Sequence, residues 1–187
     1  MNKYIFLSIL FLATCNIYAE IQTAVVSWNP AFCREECAKL LSEAFNEVKN
    51  SSEVLVSPEQ GQAVFTWTSG KRISYQMLKK PMQSVGVGLS EIFLKVRGTL
   101  RVRDDNFYLI STGDGMSFEL VGTPSGQSPT RFMSSSAQPR PLPDGLKALL
   151  TSLLDAKETV IIEGLFYKAY RSPPYRLVAS RVLRDEK

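Results

Sequence analysis

The chain contains no histidine. That absence excludes Ser-His-Asp and Cys-His catalytic arrangements, and it excludes zinc sites that need an imidazole ligand. The sequence also lacks a phosphate-binding loop and a dinucleotide-binding fingerprint. Asp104 and Asp105 come nearest to a paired-carboxylate site, but they lie between two expected strands, where aspartates are turn residues first. We therefore expect a protein that is not an enzyme.

Long hydrophobic runs are also missing. The longest apolar stretch, residues 4–14, follows Lys3, and it falls short of the roughly 20 residues that cross a bilayer. Together with the small residue Ala19, this predicts a signal peptide over residues 1–19, export to the periplasm or the exterior, and no transmembrane helix in the mature chain. Two alternatives stay open: a lipoprotein signal that leaves a lipidated Cys15, and a buried N-terminal helix.

Cysteine is scarce, with three residues in all. This number excludes a four-cysteine zinc site unless subunits share ligands. Cleavage after Ala19 would remove Cys15 and leave Cys33 and Cys37 in an oxidising compartment. An even pair is what a disulfide or a two-thiolate metal site requires.

Charge and composition bound the class of protein. The apolar fraction is 44%, which is typical of a soluble globular chain. The formal net charge is only +4, too small to indicate a polyanion partner without a concentrated patch, so we expect no nucleic-acid partner. The basic surplus lies in the second half, and this shift predicts two domains, residues 20–94 and residues 95–187, that meet near residues 93–98.

The first half alternates between strand and helix patterns. A β-branched run at residues 21–28 predicts a strand, and the alternation of apolar and other residues at positions 63–68 predicts a half-buried one. Ser74 is placed to cap a second helix, in which Pro81 removes one hydrogen bond and predicts a kink. The complete order is strand, helix, strand, strand, helix, strand, which is typical of a ferredoxin-like domain. Helical spacing of apolar residues predicts the first helix: Cys33, Cys37, Leu40, Leu41, Ala44, Phe45 and Val48.

Residues 23–94 resemble the heavy-metal-associated domain of periplasmic mercury-binding proteins and copper chaperones. The matching features are the cysteine pair that opens the first helix, the Gly-Gln-Ala-Val run at residues 61–64 and the second helix at residues 73–86. The resemblance implies that Cys33 and Cys37 hold Cu(I) or another soft metal ion. The chain departs from that family in having three residues between its cysteines instead of two.

The residues themselves leave other roles open for the cysteine pair. Cys33 and Cys37 could form a structural or redox disulfide, because a loop that leads into a helix can bring their Cα atoms close enough. They could also be inert, since Cys37 lies on the apolar face of the predicted helix.

The second half has the order of strands expected for a small barrel. Three strands, a helix and two strands predict a five-stranded OB-like barrel with one helix, interrupted by a flexible loop at residues 123–143. Arginines and aromatics run through these strands, and Arg101, Tyr108 and Tyr167 are candidates for ligand contacts on one exposed face. The alternative is that the barrel simply buries its aromatics.

The sequence thus predicts an α+β protein, a βαββαβ ferredoxin-like domain followed by a small five-stranded OB-like β-barrel. The expected function is exported binding or trafficking of a soft metal, with Cu(I) as the first candidate and Cys33 and Cys37 as its ligands. The alternatives are an envelope protein-interaction module with a structural disulfide and no metal, and an OB-type ligand-binding protein.

Overall fold

The computed structural model describes residues 20–33, 35–123 and 139–185. The predicted signal peptide at residues 1–19, with Cys15, lies outside the described residues, as does most of the predicted loop at residues 123–143. None of the helices in the described ranges is long and apolar enough to cross a membrane.

Eight strands and three α-helices make up the described chain. The strands are β1 (Ile21–Ser27), β2 (Ser51–Ser57), β3 (Gln62–Trp67), β4 (Glu91–Arg103), β5 (Asn106–Ser111), β6 (Ser117–Val121), β7 (Thr159–Tyr167) and β8 (Tyr175–Arg184). The helices are α1 (Glu35–Asn46), α2 (Tyr75–Ser84) and α3 (Asp144–Asp155), with a short 3-10 helix at Pro30–Phe32 before α1.

All eight strands belong to one sheet, in the order β2-β3-β1-β4-β5-β6-β8-β7. An additional pairing between β4 and β7 closes the last five strands into a barrel. The pairs are antiparallel except for β6 and β8, which run parallel. The molecule is therefore a closed five-stranded barrel extended by three strands, β1, β3 and β2.

Strand β4 joins the extension to the barrel. Its first half pairs with β1 and its second half pairs with β5, while β7 pairs with it across Phe93 to Thr99. The strand changes partners near Gly98, where a Cβ atom would collide with the carbonyl oxygen of Ile110 on β5. Glycine is thus required where two backbones approach this closely.

The predicted fold class, a βαββαβ ferredoxin-like domain followed by an OB-like barrel, is wrong. The structure is mostly β, and its first four strands do not form a sheet of their own, because β4 continues without a break into the barrel. The point near residues 93–98 at which the charge shift begins lies within β4. The domain boundary between residues 94 and 95 lies inside β4, and independent folding of the two parts stays a prediction.

One principal core spans both parts of the sheet. Phe45 of α1 packs edge-on against Phe65 of β3, with ring centroids 4.9 Å apart, and Phe118 packs against Phe166 inside the barrel at 5.7 Å. All four side chains are fully buried in the same hydrophobic cluster. Burial of each contributes roughly 1.5–3 kcal/mol, so the helices and the barrel are stabilised by a common interior.

Helices α2 and α3 differ in how their first turns are capped. Ser74 caps α2 as expected, since its hydroxyl accepts a hydrogen bond from the Met77 N–H at 3.2 Å. The helix runs through Pro81 to its end. In α3, however, Asp144 is the first helical residue, and the cap position is held by Pro143 without a side-chain hydrogen bond.

Candidate functional site

Cys33 and Cys37 lie where the 3-10 helix enters α1. The Asn29 side chain accepts a hydrogen bond from the Ala31 backbone N–H at 3.0 Å and caps this short helix. The Cys33 N–H donates to the Pro30 carbonyl at 3.1 Å. The chain therefore brings Cys33 to the beginning of α1, about one helical turn before Cys37.

The two cysteines are joined by a disulfide bond, with 5.2 Å between their Cα atoms. That separation lies within the range of roughly 4.4–6.8 Å that a disulfide needs. Cys33 is only 3% exposed and belongs to the principal core, whereas Cys37 is half-buried against it. While the bond is intact, neither sulfur is a thiolate that could bind a ligand.

A metal ion at this position would need the reduced pair. Two thiolates suit a soft ion such as Cu(I), and the positive end of α1 would favour their ionised form. Within the described ranges, no group of three or more histidine, cysteine, aspartate and glutamate side chains could hold a metal ion. Cys33 and Cys37 would thus be the whole ligand set that this part of the chain supplies.

The predicted ligand contacts on the barrel lie in one cross-strand row, but they do not form one exposed surface. Arg101 is exposed and stands directly opposite the half-buried Tyr108. Tyr167 is only 2% exposed, and the Lys168 ammonium lies 5.0 Å from the centroid of its ring. Stacking on Tyr167 would therefore require the surrounding side chains to move.

An ion pair occupies the middle of that row. Tyr108 stands opposite Glu119, Glu119 opposite Arg176, and Arg176 opposite Tyr167. The Arg176 Nε donates to the Glu119 Oε2 at 2.8 Å. Glu119 gave no signal in the sequence, because its partner is more than fifty residues away and is reached only through the parallel β6–β8 pairing. A polar cleft of about 250 Å³ adjoins this pair, and it is lined in part by Asp105, Asn106, Arg140 and Lys147.

A second feature that sequence analysis missed is an apolar row on the outer face, the side of β2, β3, β1 and β4 away from α1 and α2. Leu55 stands opposite Val64, Val64 opposite Val25, and Val25 opposite Phe93. Leu55 is 60% exposed and Phe93 38% exposed, while the two valines are half-buried. This outer row therefore presents continuous apolar surface, a common property of protein-binding sites.

The outer row continues into a small cluster on the outside of the barrel. Phe93 stands opposite Leu165, Leu165 opposite Val178, and Val178 opposite Val121. These last three side chains are buried and form a second hydrophobic cluster together with Tyr167. Tyr167 is therefore buried as a member of this outer cluster.

Glu91 begins β4 opposite Ser27. Its Oε1 atom is buried and has no hydrogen-bond partner among the described protein atoms. Desolvation by burial raises the pKa of the Glu91 carboxyl above its ordinary value. The carboxylate form is therefore disfavoured at this position.

No family model, curated protein or solved structure matches the chain. The resemblance to heavy-metal-associated domains stays a prediction from the sequence.

Proposed function

We propose that this chain is an exported, non-catalytic protein-interaction module in which Cys33 and Cys37 form a structural disulfide. The observation that carries the proposal is the bonded pair itself, with Cys33 buried in the principal core. The bond ties the 3-10 helix to the first turn of α1. For a loop this short, the loss of chain entropy in the unfolded state favours folding by about 2 kcal/mol.

The same bond supports export. Disulfides persist in oxidising compartments and are rare where thiols are kept reduced. The apolar N-terminal run of the sequence points to the same compartments. These two arguments together support an envelope or extracellular location, and the partner would be another protein at the same place.

A thiol count with an unfolding measurement tests the proposal. The protein purified from an exporting bacterial host should show no reactive thiol from Cys33 or Cys37, either folded or denatured without reductant. Reduction should lower the free energy of unfolding by about 2 kcal/mol. The matched control is the double variant Cys33→Ser/Cys37→Ser, whose stability should not respond to reductant. Two reactive thiols in the untreated protein, or equal stability with and without reductant, would contradict a structural role.

Soft-metal binding is the second candidate, favoured by the meeting of both sulfurs at the N-terminal end of α1. Once reduced, the pair would offer two thiolates to Cu(I) beside the positive end of the helix. The test is a Cu(I) titration of the reduced protein against a competing chelator, beside the Cys33→Ser/Cys37→Ser variant. Tight one-to-one binding that the variant loses would support a copper role. Equal, weak binding by both proteins would reject it.

A further inference from the structure

Strand β2 is the open edge of the sheet. Every other described strand pairs on both sides, because closure of the barrel gives β7 a partner in β4 and the extension runs from β4 through β1 to β3. Among the residues that the structure describes, β2 pairs only with β3. Its other side therefore directs backbone N–H and carbonyl groups away from the sheet, as an edge strand does.

Lysine and proline, two of the usual protections against strand pairing, are missing from this edge, and its only irregularity in register lies at one end, between Ser51 and Glu53. Proteins commonly place lysine, proline or several charges on an exposed edge strand. The seven residues of β2, Ser-Ser-Glu-Val-Leu-Val-Ser, include no lysine or proline, and Glu53 is their only charge. The central Val-Leu-Val run favours an extended strand. Such an edge is suited to accept one more strand.

Leu55 makes the edge apolar as well as open. It is the outermost residue of the outer row, and it is 60% exposed although it lies at the centre of Glu53–Ser57, the part of β2 that pairs in regular register. Behind it, Val64 and Val25 continue the apolar surface toward β4. A strand added beside β2 would cover Leu55 and lengthen the outer row.

We propose that the added strand is β2 of a second copy of this chain, paired antiparallel about a two-fold axis through Leu55. In that register Leu55 stands opposite its own copy, Val54 opposite Val56, and Glu53 opposite Ser57. No two like charges face each other and the apolar residues oppose one another, so the strand can pair with itself without repulsion. The sequence of β2 itself therefore favours a second copy as the occupant.

The symmetric arrangement also aligns the faces of the two sheets. Directly opposed residues of antiparallel strands project to the same side. Both outer rows would join into one apolar strip across Leu55 and its copy, and both pairs of helices α1 and α2 would lie on the opposite side. The contact is limited to a short strand, so the dimer is expected to be weak and concentration-dependent.

This inference names a partner for the interaction role proposed above and rests on that role. The two can nevertheless fail separately, because the thiol and copper experiments do not depend on the oligomeric state. A monomeric protein with an intact structural disulfide would reject only the dimer.

Sedimentation velocity over a wide range of protein concentration is the first test. The unaltered protein should shift from monomer to dimer as concentration rises. Leu55→Lys should weaken the dimer at least about tenfold, because it removes an apolar pair and places two lysines face to face. Leu149→Lys is the matched control, since Leu149 is 41% exposed on α3, and it should leave dimerisation unchanged. A monomer at every concentration, or a dimer that Leu55→Lys does not weaken, would overturn the proposal.

Charge pairing at the two-fold axis tests the register. Leu55→Lys and Leu55→Glu should each dimerise at least about tenfold more weakly than the unaltered protein when alone, whereas an equimolar mixture should form a heterodimer, because lysine and glutamate then stand opposite each other. Circular dichroism of each variant verifies that both are folded. No association in the mixture would reject the pairing of Leu55 with its copy.

A cross-linking variant keeps the test independent of added charge. Leu55→Cys should form a disulfide between two chains under mild oxidation, with the linked peptides identified by mass spectrometry. Leu149→Cys should not. Equal cross-linking at the two positions would indicate random collision and count against the β2 interface.

Discussion

At the scale of single residues, partial burial of the Glu91 carboxyl group disfavours its charged form. Its Oε1 atom is buried without a partner, and desolvation raises the pKa of the group. The folded state therefore binds the Glu91 proton more tightly than the unfolded state does. The resulting stability is fully present below the ordinary glutamate pKa of about 4 and is lost as pH rises through the raised pKa.

We predict that Glu91→Gln removes this loss. The variant should be more stable than the unaltered protein at neutral pH, and the difference should shrink as pH falls toward 4, about the ordinary glutamate pKa. Denaturant unfolding at several pH values measures both effects. Glu59→Gln, at an exposed position between β2 and β3, removes a glutamate charge from the surface and is the control. A constant difference between Glu91→Gln and the unaltered protein at all pH values would contradict the prediction.

Gly98 has a packing role that a single methyl group would test. A Cβ atom there would meet the Ile110 carbonyl oxygen, whereas one at Gly145 in α3 has nothing within 4 Å. We predict that Gly98→Ala lowers the free energy of unfolding by about 1–3 kcal/mol, as overpacking does. Gly145→Ala should be neutral or stabilise by at most about 1 kcal/mol. If Gly98→Ala and Gly145→Ala have equal effects on thermal unfolding, β4 can shift at Gly98 to accommodate a Cβ atom, which would contradict the prediction.

At the scale of elements, α2 depends on a local cap. The Ser74 hydroxyl accepts a hydrogen bond from the Met77 N–H, and Leu78 and Met82 are then fully buried on one side of the helix. We predict that Ser74→Ala lowers the free energy of unfolding by about 1 kcal/mol, because the cap is lost. Ser152→Ala in α3 is the control, since that hydroxyl donates only to the Leu149 carbonyl within its own helix. If Ser74→Ala lowers the free energy of unfolding no more than the control does, α2 is stabilised by its packing and not by the cap.

Elements with strong local signals were placed well from the sequence. The spacing of apolar residues indicated α1, and the alternation of residues 63–68 indicated β3, because both periods are set by local backbone geometry. The sequence did not indicate which distant strands pair with each other. The Glu119–Arg176 ion pair and the outer row exist only because particular strands are neighbours in the sheet.

At the scale of the whole molecule, β4 should make unfolding cooperative. Both parts of the sheet share this strand and one principal core. The chain has two tryptophans, Trp28 and Trp67, and both are buried in the part formed by β1, β2 and β3. Tryptophan fluorescence therefore reports mainly on that part, whereas far-ultraviolet circular dichroism reports on the entire fold.

We predict that the fluorescence and circular dichroism curves for unfolding in urea coincide, as in a two-state transition. Two separate transitions would contradict this and would support independent domains at residues 20–94 and 95–187. Expression of residues 95–187 alone is a second measurement. This fragment lacks the first residues of β4 that pair with β1 and β7, so it should be less stable than the barrel in the complete chain.

The sequence by itself determined the local features: the two helices with clear caps or periodicity, the turn at Asp104 and Asp105, and the closeness of Cys33 to Cys37. These depend on residues a few positions apart. The tertiary structure decided that β4 belongs to both parts of the sheet, that Tyr167 is buried, and that Leu55 and Phe93 share an outer row. Those outcomes depend on which distant strands pair and in which register, and side-chain periodicity within one strand does not specify its neighbour.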